Sequence, residues 1–326
     1  MSDETNHEQA ALRNAWLQFA TFDHNAIVIQ ARFYRLRGAV LWMGVIATAL
    51  AVIYSHFVAP EGDQPEFPDW RHIFWLVMVM APISVTVLST GAAKLARGVD
   101  WVALRGAAEA TKREIFRFRC GVDGYDHSAS QFGERAEMLS KRVGQATSRL
   151  MDTDVLQSSL EPYGGELPPK QAVAQGDDGM SDLEPEHYLT WRLEDQRAFF
   201  QSKAKALDRR NHLMQWAIAG LGGLGTLFAS VGQEIWVPVA VSVSTALTSY
   251  YLQLRSVETH LAGYNRASLE LSNVATWWCG LSQAAKQDHV KFSQLVERTE
   301  AILTSENSSW VQNMQAAVAQ TDDRDE

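Results

Sequence analysis

The stretch Gly38–Val58 reads GAVLWMGVIATALAVIYSHFV, and Ile73–Ala93 reads IFWLVMVMAPISVTVLSTGAA. Neither holds an Asp, Glu, Lys or Arg. Two more such stretches follow, Leu213–Val231 and Trp236–Leu252. A helix rises about 1.5 Å per residue, so roughly 20 apolar residues cross a hydrocarbon layer of about 30 Å. Helices buried in soluble cores seldom stay apolar all round for so long. The spacing therefore predicts an all-α membrane protein: two tandem transmembrane helical hairpins, four spans in all, with long cytoplasmic helical extensions.

Charge sets the orientation. Arg32, Arg35 and Arg37 precede the first span, and Lys94, Arg97 and Arg105 follow the second. Lys203, Lys205, Arg209 and Arg210 precede the third, and Arg255 follows the fourth. The short loop 59–72 carries Glu61, Asp63, Glu66 and Asp69 against Arg71, and loop 232–235 holds Glu234. Basic residues stay on the inside. Both termini are thus expected in the cytoplasm of a multi-pass protein of the cell (inner) membrane. No secretory signal pattern opens the sequence. The net charge of −9 argues against nucleic acid as a partner, since that needs basic surface.

The hairpins read as a repeat. Arg119-Cys120-Gly121 aligns with Trp278-Cys279-Gly280, and the same offset pairs Thr86 with Thr245, Ser89 with Thr248 and Thr90 with Ser249. Expected domains are a cytoplasmic N-terminal helix (1–30), a first two-span repeat (31–150), a linker (151–187), a second two-span repeat (188–318) and a disordered tail (319–326). The linker reading comes from Pro162, Gly164, Gly165, Pro168, Pro169, Asp177, Asp178 and Gly179. Such a composition buries too little apolar surface to fold alone. Val290, Leu295, Ile302, Leu303 and Trp310 fall near helical spacing and suggest a cytoplasmic bundle.

Candidate functional residues follow from the spans. Thr86, Ser89 and Thr90, with Ser242, Thr245, Thr248 and Ser249, are candidate pore-lining hydroxyls. Thr86 and Thr90 share a helix face, as do Thr245 and Ser249. A hydroxyl stripe either lines a narrow wet path or packs helices and bonds its own backbone. Pro82, inside the second span, is a candidate hinge. Gly220, Gly222, Gly223 and Gly225 match a dinucleotide fingerprint in letters, but lie inside an apolar span. There they permit close helix packing. Glu109, Glu114, Glu258 and Glu270 are read as a solvated or ion-paired face, with a cation funnel as the alternative. Cys120 and Cys279, the two cysteines, read as small packing residues in a reducing compartment. No catalytic constellation, metal set or cofactor motif is seen, so an enzyme is not expected.

The run Tyr188-Leu-Thr-Trp-Arg192-Leu-Glu-Asp-Gln196, then a hairpin, a long helix with Glu297 and Glu300, and Glu306-Asn-Ser-Ser-Trp310 resemble the DUF4231 family and the related SLATT-type two-transmembrane proteins. The resemblance is best over Tyr188–Trp310 and weaker over Leu12–Gly121. It implies a membrane effector of bacterial defence systems linked to nucleotide signalling, which forms pores or perturbs membranes. The expected function is a homo-oligomeric small pore or ion channel. The alternative is a membrane-anchored scaffold whose cytoplasmic helices recruit a partner. Expected partners are the lipid bilayer, further copies of the chain, ions and a cytoplasmic protein.

Overall fold

The computed structural model describes residues 2–58, 69–95, 98–126, 132–148, 150–151, 159–253 and 256–322. All regular structure among them is helical. The helices are α1 (Ser2–Ile53), α2 (Asp69–Leu95), α3 (Gly98–Cys120), α4 (Phe132–Ser148), α5 (Pro185–Tyr188), α6 (Asp195–Ser230), α7 (Val237–Gln253), α8 (Ser256–Cys279), α9 (Gln283–Lys286) and α10 (His289–Asp322). A π-helical stretch, Leu189–Glu194, joins α5 to α6, so that Pro185–Ser230 runs on as one helix. Most of the acidic outer loop, residues 59–68, lies outside the described residues, as do 152–158 of the expected linker and 323–326 of the expected tail.

The chain divides into two compact units. Unit 1 comprises Met1–Gln30, Gly98–Ala206 and Thr259–Val318. Unit 2 comprises Ala31–Arg97, Leu207–Glu258 and Ala319–Glu326.

Unit 1 buries its apolar side chains. Leu12, Trp16, Phe19 and Ala20 of α1 recur at helical spacing and meet Ile115, Phe116 and Phe118 of α3. Leu139 and Val143 of α4, Leu193, Phe200, Leu271, Trp278, Leu295 and Val296 complete the core. The stripe on α10 is therefore Phe292, Leu295, Val296 and Leu303; Val290 is 59% exposed and lies off it. Cys120 is buried, whereas Cys279 is exposed, so only the first packs as the sequence suggests.

Segment 159–184 is a correction to the sequence reading. It packs onto unit 1 through side-chain pairings that composition cannot reveal. Asn25 donates from Nδ2 to the Glu161 carbonyl (2.8 Å) and accepts from the Glu161 N–H (3.0 Å). Trp16 Nε1 donates to the Gly179 carbonyl (2.7 Å), and the Leu183 N–H donates to the Arg119 carbonyl (2.8 Å). Gly179 sits at φ +69°, and a Cβ there would lie 2.5 Å from Pro168 Cγ. Glycine is required by both the backbone and the space.

Unit 2 does the opposite. Trp42, Ile46, Phe57, Ile73, Val87, Leu213, Trp216, Leu227 and Val231 are all more than half exposed. Among the described residues two helices are long and apolar enough to cross a membrane, Asn6–Phe57 and Pro185–Ser230. Only 11% of the most apolar stretch of the first is buried, and none of the second. A soluble core helix would be covered, and exposed apolar surface of this extent needs lipid or a partner. The second helix of each hairpin is shorter in its apolar part. Ile73–Leu88 is one, and α7 has 17 residues.

Candidate functional site

The polar groups of interest lie separately in the two units. In unit 2, α6 and α7 are joined by the turn 231–236, where Gly232 takes φ +75°. An open groove of about 660 Å³ lies along this helix pair. Gly222, Gly225 and Thr226 line it from α6; Ser244, Thr245, Thr248 and Ser249 line it from α7. Three of the four α7 hydroxyls singled out in the sequence thus share one groove with two of the glycines. Ser242 is not among the lining residues. Of the four glycines, Gly225 meets the neighbouring helix, with its Cβ position 3.7 Å from Ala240 Cβ; Gly220, Gly222 and Gly223 have open space there.

On α2, Thr86 is exposed and donates to the Pro82 carbonyl (3.1 Å). Pro82 stands inside the helix without ending it. The side chains of Ser89 and Thr90 lie outside the described residues. Thr226 likewise donates to the Gly222 carbonyl (3.0 Å). Hydroxyls in lipid must find acceptors, and the carbonyl four residues back is the nearest.

Unit 1 holds a chain of buried charges. Glu300 falls on the core face of α10, one helical turn beyond Val296, with its side chain fully buried. A carboxylate there is tolerable only if paired and hydrogen-bonded. Arg192 supplies a forked pair, Nε to Oε1 at 2.9 Å and Nη2 to Oε2 at 3.0 Å, and Tyr188 Oη donates to Oε1 at 3.0 Å. The guanidinium also lies 4.3 Å from the Phe116 ring centre. Burial opposes the charge on Arg192, but Glu300 outweighs it and holds the guanidinium above its ordinary pKa. Burial, then Glu300, push the Tyr188 phenol well above its ordinary range. The π-helical stretch separates these two partners by a widened turn.

A second pair is Arg119 with Asp177, both side chains at 0% exposure. Two guanidinium nitrogens reach the carboxylate, and Nε donates to the Ser181 carbonyl (2.8 Å). A third network centres on Arg105, which bonds Asp23 (2.8 Å) and Glu109 (3.2 Å). Burial lowers the Lys112 ammonium to about 8, with Arg192 adding to the effect. Glu114 is buried beside Arg117 (3.1 Å), Arg142 (3.4 Å) and Tyr125 (3.2 Å), while Glu270 pairs with Arg266 at the surface. The side chain of Glu258 lies outside the described residues.

A cavity of about 300 Å³ adjoins Arg105 and Glu109. Trp101, Phe199, Phe200, Tyr264 and Trp310 line it, with Glu306. Burial, then Glu109, raise the Glu306 carboxyl from 4.5 to about 7, against the pull of Arg105. Its contribution to stability is complete below pH 4.5 and lost as pH rises through 7, because the fold favours the protonated form. Glu306→Gln should therefore raise the stability of unit 1 by roughly 1–3 kcal/mol at pH 8 and change little at pH 5. Denaturant melts at the two pH values read this directly; a pH-independent difference would mean an ordinary carboxyl.

Sequence reasoning singled out Tyr188, Arg192 and Glu300 only through family resemblance. A physical signal was present at Glu300, an acid in phase with an apolar stripe. Asp177 had no such signal.

Comparison with known proteins separates the two halves. Residues 188–310 match the family described as SMODS and SLOG-associating 2TM effector domain 1. Residues 18–132 match DUF4231. The first half, where the resemblance looked weaker, is thus the one that matches DUF4231 by name. Neither a curated protein nor a solved structure matches the chain. With its exposed apolar helices this is a membrane protein, and it matches two family models in tandem, DUF4231 over 18–132 and the 2TM effector domain over 188–310.

Proposed function

We propose that this chain is a membrane effector of bacterial defence signalling which, as a homo-oligomer, forms or gates a small pore in the inner membrane. It crosses the membrane four times, at Gly38–Val58, Ile73–Ala93, Leu213–Val231 and Trp236–Leu252, with both termini in the cytoplasm. The 17 residues of α7 extend about 25 Å, and modest bilayer thinning makes up the difference. One observation carries the reading. Thr245, Thr248 and Ser249 line a single groove with Gly222 and Gly225, in the half that matches a 2TM effector family. Uncharged hydroxyls along a groove offer water and ions a path without strong selection by sign. Two hairpins per chain let few copies close a ring. The chain acts on the membrane and performs no catalysis. Its partners are lipid, other copies, ions and a cytoplasmic protein of the signalling system.

Ion flux from liposomes containing the purified protein tests the reading. Thr245→Leu with Thr248→Leu should reduce flux about tenfold or more while insertion is unchanged, because Leu fills the groove. Equal flux in the double variant would sink the hydroxyl path. Correct insertion with no flux under any condition would favour the scaffold, whose cytoplasmic helices recruit a partner.

A further inference from the structure

The aromatic cavity of unit 1 is not needed for the pore reading, and its chemistry is specific. Trp101 and Trp310 stand edge to face, 5.3 Å apart at 70°. His260 stacks on Trp310 at 6.3 Å and on Tyr264 at 6.4 Å, and Tyr264 meets Phe200 at 5.6 Å. Ring faces carry negative potential and attract cations in desolvated sites.

The charges facing this cavity are mostly committed. Arg105 of α3 is held by Asp23 of α1 and Glu109 of its own helix. Arg192 is forked onto Glu300 of α10. Lys203 of α6 is exposed and lies 5.3 Å over the Phe199 ring. Lys112 is buried and does not line the cavity, and burial keeps His260 neutral by lowering it to about 4. Glu306 remains. Among the described residues it makes no hydrogen bond or ion pair, and the second carboxylate, Glu109, works against its ionisation.

We propose that this cavity binds a small organic ammonium cation, with Glu306 as counter-ion and the faces of Trp101, Trp310 and Tyr264 around the charged head. An anion would meet two carboxylates here, and of the three cations on the wall Arg105 and Arg192 are already held by carboxylates while Lys203 is exposed. A neutral apolar ligand would leave Glu306 without a partner. A methylated ammonium needs no hydrogen-bond acceptor and lies well against aromatic rings.

Choline is the probe, and 3,3-dimethylbutan-1-ol is its uncharged isostere. The full chain in detergent micelles is titrated with each, followed by tryptophan fluorescence and calorimetry at pH 6 and pH 8. Choline should bind at least about tenfold tighter than the isostere at pH 8. Its affinity should fall roughly tenfold at pH 6, tracking the ionised fraction of a carboxyl that titrates near 7. Glu306→Gln should erase both the charge preference and the pH dependence. Trp310→Leu should weaken choline binding independently, which covers the case in which the glutamine variant misfolds. Equal binding of the two ligands, a retained preference in Glu306→Gln, or binding of inorganic phosphate in place of choline would each overturn the assignment.

Discussion

Replacing Arg192 by Met should strongly destabilise unit 1. The substitution keeps the aliphatic stem but leaves the Glu300 carboxyl fully buried and holding only the Tyr188 hydroxyl. Breaking one side of a buried, hydrogen-bonded pair costs about 3–5 kcal/mol, because the remaining charge has lost its partner and regains no water. A domain holds about 5–15 kcal/mol in all, so the loss takes much or most of it. Glu300→Leu should cost a similar amount, leaving Arg192 against Phe116 with no anion. The double variant, Arg192→Met with Glu300→Leu, should recover most of the loss. An apolar pair of similar volume escapes the desolvation that the ions suffer. Denaturant melts of the four proteins give the coupling energy directly. If both single variants melt within about 1 kcal/mol of the parent, the pair is solvated and carries no structural role.

The long apolar helices were legible because lipid imposes a coarse rule. A helix there must be largely apolar on every side, and Gly38–Val58 holds no Asp, Glu, Lys or Arg and only Thr48, Tyr54, Ser55 and His56 among polar side chains. The structure agrees by leaving Trp42, Ile46 and Trp216 uncovered. The rule is weaker for α2 and α7, whose apolar parts are shorter. Unit 1 obeys a finer code. Periodicity located α10 but misjudged its inner face by admitting Val290 and omitting Phe292 and Val296. With the right stripe, Glu300 stands out as an acid among core positions and calls for a cation from elsewhere. Nothing local says that the cation is Arg192, because pairing across the fold leaves no period in the sequence. Segment 159–184 fails for a related reason. Its prolines, glycines and acids describe a chain that cannot fold alone, and it does not fold alone: Arg119, Trp16 and Asn25 hold it.

That attachment gives the second large effect, at Asp177. Asp177→Ala should release residues 159–184 from unit 1 while leaving the helices in place. The carboxylate does two things at once. It accepts both guanidinium arms of Arg119 and the Gly179 N–H at 2.9 Å, which positions the Gly179 carbonyl for Trp16. Its removal leaves the fully buried guanidinium with only the Ser181 carbonyl and the more distant, exposed Asp178 (3.7 Å) and loosens the turn, an expected cost of about 3 kcal/mol. The segment's buried apolar anchors are Ala172 and Leu183, with Tyr163, Leu167, Val173 and Met180 only partly covered, so the cost falls on local opening before global unfolding. Each 1.4 kcal/mol is a tenfold change in an equilibrium, so the open form should rise by at least about 100-fold. Limited proteolysis reads this as rapid cleavage within 159–184 with α3 and α10 intact. Arg119→Met on the Asp177→Ala background should restore part of the protection, since it removes the stranded charge. Cleavage at the parent rate in Asp177→Ala would mean that backbone bonds such as Leu183 to Arg119 hold the segment without the ion pair.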